Sequence, residues 1–582
     1  MNIYPEDTFE RLEFDKLIHI LAENCRSASA RERVLQLRPI EDFQEMLIQL
    51  QQTREYLDCL EGKSYFPRIG FNDVQKEISL LRVSDAVLSE KQMLLVRDLS
   101  DTCNVILKFL SDKKQVYPAL SLVFKDTYQT DAIIQAIDQV LDQAGIVRSN
   151  ASKALADIRK DLQVARRELD RVFRTHLTKY KKLGWLADIE ESVYNGRRVL
   201  SVLAEQKRSV KGIVQGSSDT GKTTFIEPIE TVDLNNDVFE LEIQERREIL
   251  RILKALTAKL RAYLPLIEAY QYALGFMDFT KAKALLAKSM DAQLPFVHHK
   301  AEMRLIKARH PLLFLQLKGQ GKNVVPFDAY FNPNKRIMII SGPNAGGKSI
   351  TLKTIGLIQL MLQSGLLIPV DEKSEVGVFR QLFCDIGDSQ SIEYELSTYS
   401  SRLKKMKHFL DFSDKRTILL IDEFGTGTDP ELGGAMAEAI LEELVRKKSF
   451  GVITTHYSNL KIAATRLDGV FNACMLFDDV SLSPRYELSI GQPGSSYTFV
   501  IAKKSGLSPK LIQEASEKTD KDKVRLDKLL KELHQLQQKA KAEAGKYDQL
   551  KKTMEEKQSK YQELYDKWQQ KLLAQKENKE QT

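Results

Sequence analysis

RIMIISGPNAGGKSITLKTIGLI, residues 336–358, decides the fold. Ile337 to Ile340 is a short continuous apolar run, as in a strand buried on both faces. It feeds a turn in which Gly342, four further residues, Gly347, Lys348 and Ser349 match the phosphate-loop spacing. Pro343, Asn344, Ala345 and Gly346 fill that turn, and Ile350 opens an apolar-periodic helix. Strand, glycine turn and helix in succession converge backbone N–H groups and a helix N-terminus on one point, which suits the β- and γ-phosphates of a nucleotide. Lys348 is expected to neutralise their oxygens, and Ser349 to place its hydroxyl on Mg²⁺.

Outward along the chain, TILLIDEFGTGTDPELGGAMAEAI (417–440) is a second apolar strand that ends in Asp422 and Glu423. An acidic pair at a strand's C-terminal end lies at the ligand edge of an open α/β sheet. Asp422 is expected to hold Mg²⁺ and Glu423 to orient and deprotonate an attacking water. A third run, FGVITTH, ends in His456, placed to sense a γ-phosphate. Residues 296–515 therefore read as an α/β domain of alternating strands and helices.

A second match to the phosphate-loop pattern, Gly216 to Thr223, is followed by TFIEPIE, where Pro228 stops a helix from starting. It reads as a polar loop. Around it, RRVLSVLAEQ, VKGIVQGSS and TTFIEP are strand-like, so a small β-rich piece is expected at about 183–235. Long helical stretches flank it: Leu155, Ile158, Leu162, Ala165, Leu169 and Val172 make an amphipathic stripe, and a second helical pattern runs from about 236 to 290. The β-rich piece thus sits at the end of two long antiparallel helices. Lys179, Lys181, Lys182, Arg197, Arg198, Lys207, Arg208 and Lys211 make it a candidate for phosphate contact, with a solvated hairpin tip as the plain alternative.

Residues 1–150 carry charged and apolar residues at helical spacing and read as a helical region. From 516 to 582 no strand signal appears, and Leu526, Leu529, Leu533, Leu536, Ala540, Tyr547, Leu550, Met554, Tyr561, Leu564 and Trp568 fall on a heptad seam that Glu543 and Lys557 interrupt, which predicts a charged coiled-coil or docking helix rather than an ideal zipper. The length of 582 residues exceeds one domain severalfold. A net charge of +7 permits nucleic-acid binding without requiring it. The five cysteines are scattered with no CxxC pair, and no run of about 18 apolar residues occurs, so a reducing, cytoplasmic setting without a membrane is expected.

Taken together, SGPNAGGKSITLKTIGL, LSTYSSRL, LLIDEFGTGTDPELGGAMAEAIL, TTHYSNLK and IGQPGSSYTFVIAKKSGL resemble the ATPase of the MutS superfamily. The opening YPEDTFERLEFDKLIHILAENCRSASARE resembles the start of its type-two branch. The resemblance implies a mixed α and α/β fold. A helical core would be followed by lever helices (151–295) carrying the β-rich clamp, an ABC-type P-loop ATPase domain, and the coiled-coil tail. It implies ATP and Mg²⁺ as cofactors and a homodimer in which Ser397 and Thr398 reach the partner subunit's γ-phosphate, with Asp429 near the seam. Such a dimer would close on ATP and open on hydrolysis. Type-two proteins usually continue into a C-terminal Smr nuclease domain, whereas the sequence ends at KENKEQT within charged helix. Nuclease activity is accordingly not expected of this chain, and a separate nuclease partner is one way to supply it. Two functions stand open: gripping branched or structured DNA and so restraining recombination, or sensing stalled or collided ribosomes through rRNA or ribosomal protein. A transporter ATPase is excluded because LSTYS replaces the glycine-rich LSGGQ signature.

Overall fold

The computed structural model describes residues 1–62, 66–343, 346–387, 398–478, 483–494 and 505–518, with Ala502, Glu543 and parts of the helical stretch 550–568 beyond these. In chain order its strands are β1 (Asn2–Tyr4), β2 (Leu186–Tyr194), β3 (Arg197–Leu203), β4 (Gly212–Ser217) and β5 (Thr223–Pro228). They continue with β6 (Phe296–His298), β7 (Met303–Ala308), β8 (Phe327–Phe331), β9 (Lys335–Ser341) and β10 (Glu375–Gly377). Last come β11 (Gln381–Asp385), β12 (Thr417–Ile421), β13 (Phe450–Thr454), β14 (Gly469–Asp478) and β15 (Ser483–Ile490).

The chain divides into two compact units. One comprises Met1–Ile20, Arg38–Leu50 and Leu286–Thr582, and the other Leu21–Leu37 with Gln51–Leu285. The first twenty residues, expected within a helical region, instead join the α/β unit through β1.

The α/β unit is built on a seven-stranded sheet in the order β1-β11-β12-β13-β9-β14-β15. Six strands run parallel and β15 closes one edge antiparallel. A parallel sheet covered on both faces needs strands that are apolar throughout, and every residue of TILLI (β12) and FGVIT (β13) is buried. Truncating any of their fully buried leucines or isoleucines to alanine costs about 2–5 kcal/mol. On one face, Ile337, Leu419, Ile421 and Ile453 pack with Phe409, Ile440 and Leu460 from three helices. The helix Lys348–Gln363 lies so close that a Cβ on Gly356 would come within 2.3 Å of Leu420 and 3.1 Å of Leu12.

At the opposite edge from β15, β1 pairs in register with β11, from Asn2↔Gln381 to Tyr4↔Phe383. Tyr4 stacks on His408 at 3.6 Å, and Arg11 pairs with Asp7 at 2.7 Å while donating to the Ile386 carbonyl. The opening segment thereby covers what would otherwise be an open sheet edge. A smaller sheet, β6-β10-β7-β8, completes this unit.

In the other unit, the helices Lys153–Lys182 and Val232–Arg261 are each 30 residues, or about 45 Å, long. Ser152 caps the first, its hydroxyl accepting from the Leu155 N–H at 3.0 Å. Leu162 and Leu169 of its stripe pack with Val238 of the second, and Arg159–Glu245 and Arg166–Glu242 ion pairs, both 2.7 Å, tie the flanks. The helical pattern expected as one stretch to about 290 is two helices. The second ends at Arg261 and the next, Leu264–Ser289, begins with Pro265 in its first turn, where a missing N–H costs nothing. Between the long helices lies the antiparallel sheet β2-β3-β5-β4. It holds one more strand than the sequence shows, because β2 (LADIEESVY) is acidic and bulges between Leu186 and Glu191. The second phosphate-loop match is the tip of the β4–β5 hairpin, closed by Ser218 and Thr223, and no helix follows it.

Among the described residues, Leu550, Met554, Tyr561, Leu564 and Trp568 are more than half exposed in helix, while Leu526 to Ala540 and Tyr547 lie outside the described residues. All five cysteines are free and buried. Among the described residues no helix is long and apolar enough to cross a membrane.

Candidate nucleotide site

β9, β13 and β12 are neighbours in the sheet and parallel, so their C-terminal ends open on one edge. The phosphate loop, Thr454 to His456, and Asp422–Glu423 meet there. β9 ends in Ser341, and the loop passes through positive φ at Gly342 (128°) and Gly347 (97°). It is pressed against β14: a Cβ on Gly346 would sit 3.1 Å from that of Met475. Gly347 caps the 16-residue helix without a side chain, which leaves the first-turn N–H groups of Ser349 and Ile350 for an anion. Gly346 N–H bonds to the Pro343 carbonyl at 3.1 Å. Asn344 and Ala345 lie outside the described residues.

Lys348 is 3% exposed, and its Nζ donates to the Gly342 carbonyl at 2.6 Å and to His456 Nε2 at 3.2 Å. Burial lowers its pKa to about 8, opposed by the charges of Glu423 and Asp422 and aided by Lys461. Burial likewise lowers His456 to about 4, helped by Lys348 and Lys461. At neutral pH the lysine is therefore charged and the imidazole neutral, accepting through Nε2. Lys461, which the sequence reading did not single out, is itself buried and donates to the Gly494 carbonyl at 2.9 Å.

Asp422 is 9% exposed, and its Oδ1 accepts from the Thr454 hydroxyl, which in turn accepts the Glu423 N–H at 2.8 Å. One hydroxyl thus positions both members of the acidic pair. Glu423 has a φ of 50°, a left-handed conformation that strains a residue with a side chain. Arg402 holds it there, donating to the Glu423 carbonyl at 2.9 Å and to the Thr426 hydroxyl at 2.6 Å. Behind them, Lys405 pairs with the buried Asp385 at 2.7 Å. Thr454 and Arg402 lie within the TTHYSNLK and LSTYSSRL segments, but nothing in the sequence assigned either of them a role.

Beside the loop, a cavity of about 480 Å³ is lined by Val324, Val325, Phe327, Ile350, Met475 and Tyr486. Apolar walls with an aromatic ring suit a flat base. The strand residues Phe327 and Tyr486 are far in sequence from the loop, and their part in the site was not visible before the fold. A cavity of about 590 Å³ around Arg309 and Lys307 is closer to self-neutral, its Lys307–Asp371 and Arg309–Asp291 pairs spanning 3.3 and 3.6 Å.

Ser397 lies outside the described residues, as does the side chain of Thr398, which opens the helix Thr398–Phe412. Asp429 is exposed and caps the next helix, accepting from the N–H groups of Glu431 and Leu432 at 3.0 and 3.1 Å.

The basic residues of the other unit fall into two groups. Arg197 is committed to Glu227, which is 0% exposed, at 2.8 and 3.1 Å; Gln215 and Asn235 complete that carboxylate's partners at 2.6 and 2.8 Å. Arg198 spans Asp170 at 2.7 Å and Glu191 at 2.8 Å, over the ring of Phe173. Both are internal ties first. Lys181 pairs with Glu190 at 2.6 Å, and Lys179 lies over Tyr180. Lys182, Lys207, Arg208 and Lys211 are exposed and form no ion pair among the described residues.

A family model described as MutS domain V matches residues 338–522. Over 538 residues the chain is 35% identical to an endonuclease MutS2 of Pelotomaculum thermopropionicum, covering 92% of this chain and 67% of that protein. It is 37% identical over 506 residues to an endonuclease MutS2 of Lactobacillus helveticus, covering 87% and 64%. An endonuclease MutS2 of Clostridium botulinum is 34% identical over 557 residues, covering 95% and 69%. The chain spans about two thirds of the length of these curated relatives.

Proposed function

Because this chain belongs to the MutS family and is MutS2-like, we propose that it is an ATP-hydrolysing clamp that grips branched or structured DNA as a homodimer. Proteins of this family are ATPases that bind DNA and act as dimers. The single observation that carries the reading is the convergence at one sheet edge: a buried Lys348 held between the loop carbonyl and His456, with Asp422 and Glu423 following the C-terminal end of β12 on that same edge.

The residues present fit ATP with Mg²⁺. Positive-φ glycines pressed on Met475 leave room for phosphate where side chains would fill it, and the cavity at Tyr486 accepts the base. Ser349 and Asp422 would hold the metal, which when bound withdraws charge from the phosphate oxygens. Lys348 and the first-turn N–H groups orient the phosphates. Glu423 takes the proton of the attacking water, and neutral His456 sits beside Lys348 at the γ-phosphate end. By resemblance, Ser397 and Thr398 complete the partner subunit's site, so that turnover and dimer closure are one event. The long helices at 151–261 act as levers for the four-stranded clamp, whose exposed Lys182, Lys207, Arg208 and Lys211 meet phosphate.

Two outcomes test the binding half of this reading. Tyr486→Ala is expected to weaken ATP about tenfold, the loss of one base–aromatic stack, while inorganic tripolyphosphate competes with ATP at an unchanged constant. Equal weakening of both ligands would place Tyr486 outside the base cavity. The second concerns pH. Below about 8 Lys348 already carries its proton; above it, ATP must restore one, so affinity falls as pH rises. Calorimetry in buffers of different ionisation enthalpy should find proton uptake growing from near zero at pH 7 toward about one at pH 9. No uptake at pH 9 would contradict the assignment of the phosphate ligand to Lys348.

A further inference from the structure

We propose that a cavity at the N-terminal ends of β9, β12 and β13 is a second anion site, built to take phosphate groups on the sheet edge opposite the nucleotide loop. It measures about 370 Å³, within the usual range for small-ligand sites, and is lined by Lys300, Arg336, Lys415, Arg416 and Lys448 around the buried Phe450. Glu302 is the sole carboxylate among its lining residues. Strands of five to seven residues separate it from the phosphate loop by roughly 20 Å, so it is no extension of that site.

Three neighbouring strands each bring a cation to the same place: the start of β9 itself supplies Arg336, the approach to β12 supplies Lys415 and Arg416, and the approach to β13 supplies Lys448. Among the described residues none of the five cations is in an ion pair, unlike Lys405 or Lys307 in the same unit. Backbone carbonyls hold the two guanidinium groups without cancelling their charge. Arg336 donates to Pro333 and, at 3.3 Å, to Asp468, and Arg416 donates to His299 at 3.2 Å. The Nε of Arg336 is buried with no hydrogen-bond partner in the chain. The nearby Asp414 carboxylate is occupied by the Arg416 N–H and the Thr417 hydroxyl, at 2.8 and 3.0 Å. Lys448 has a φ of 60°, strain retained at a position that a glycine would fill without it.

Crowded like charges repel one another, and a multivalent anion removes that cost. Arginines pre-set by backbone acceptors, with exposed lysines at the rim, match the oxygens of two or three linked phosphates. Those phosphates come either from a nucleic-acid backbone or from a free polyphosphate. The site does not depend on ATP turnover, so its failure would leave the nucleotide reading untouched.

The test uses the full chain with Lys348→Ala, which removes phosphate binding at the nucleotide loop, and titrates inorganic tripolyphosphate by calorimetry. Adding Lys300→Gln and Lys415→Gln, both at exposed positions, is expected to weaken binding about tenfold or more with an unchanged melting temperature. Lys448→Gly, which removes a charge and relieves the strained backbone, should weaken binding in the same direction without loss of stability. Equal tripolyphosphate affinity with and without these substitutions, or no binding in the Lys348→Ala chain, overturns the proposal. A 20-nucleotide single strand then distinguishes the sources. If it displaces tripolyphosphate, with a salt slope that falls by about 1.4 on losing the two lysines, the ligand is a nucleic-acid backbone. If it does not displace a bound tripolyphosphate, the site is one for a free polyphosphate.

Discussion

Glu423→Gln is expected to bind ATP as the unsubstituted chain does and to hydrolyse it slower by on the order of a hundredfold or more. Glutamine is isosteric and keeps every backbone contact that fixes the position: the N–H to Thr454, the carbonyl to Arg402 and the left-handed φ of 50°. It loses only the capacity to take a proton. The strained backbone is the physical reason to single out this residue over Asp422, whose carboxylate is already engaged by the Thr454 hydroxyl. Single-turnover rates at saturating ATP, with affinity measured separately, check it. An unchanged rate would remove Glu423 from the role of general base.

Arg197→Ala is expected to destabilise the four-stranded sheet by about 3–5 kcal/mol, the cost of leaving a buried carboxylate without its cation. Glu227 is fully buried, and Gln215 and Asn235 can share hydrogen bonds with it but cannot balance its charge. Adding Glu227→Gln should recover much of the loss, because the residue left behind is then neutral. Hydrogen exchange across residues 186–228 is the measurement. If Arg197→Ala leaves protection unchanged and instead weakens DNA binding by itself, the arginine faces phosphate and the internal tie is unimportant.

The nucleotide edge was the most legible part of the chain. A parallel strand buried on both faces must be apolar throughout, so Ile337–Ile340, Thr417–Ile421 and Phe450–Thr454 stand out, and the residues that follow them in sequence fall on one edge of the sheet. β1 was not legible, since three residues of NIY carry no period and its partner, β11, lies nearly 380 positions away. β2 was hidden by its acidic residues and its bulge. Arg197 and Arg198 illustrate a different limit. A basic residue in a strand looks alike in sequence whether it meets phosphate or a buried glutamate, and only the register that sets Arg197 near Glu227 separates the two. The cavity beside the loop was out of reach for the same reason, as Phe327 and Tyr486 reach Ile350 only through sheet pairing.

The central claim is that turnover at the β9–β12–β13 edge is coupled to a grip on DNA. Its most direct test is the ATPase rate at fixed low salt, with a four-way junction, linear duplex of the same length and no DNA compared in turn, and Glu423→Gln as the blank. A severalfold change in rate with the junction, smaller with duplex and absent in the blank, is the expected result. The same rate under all three conditions, from a chain that still hydrolyses ATP through Glu423, would leave the nucleotide site standing and contradict the coupling to DNA.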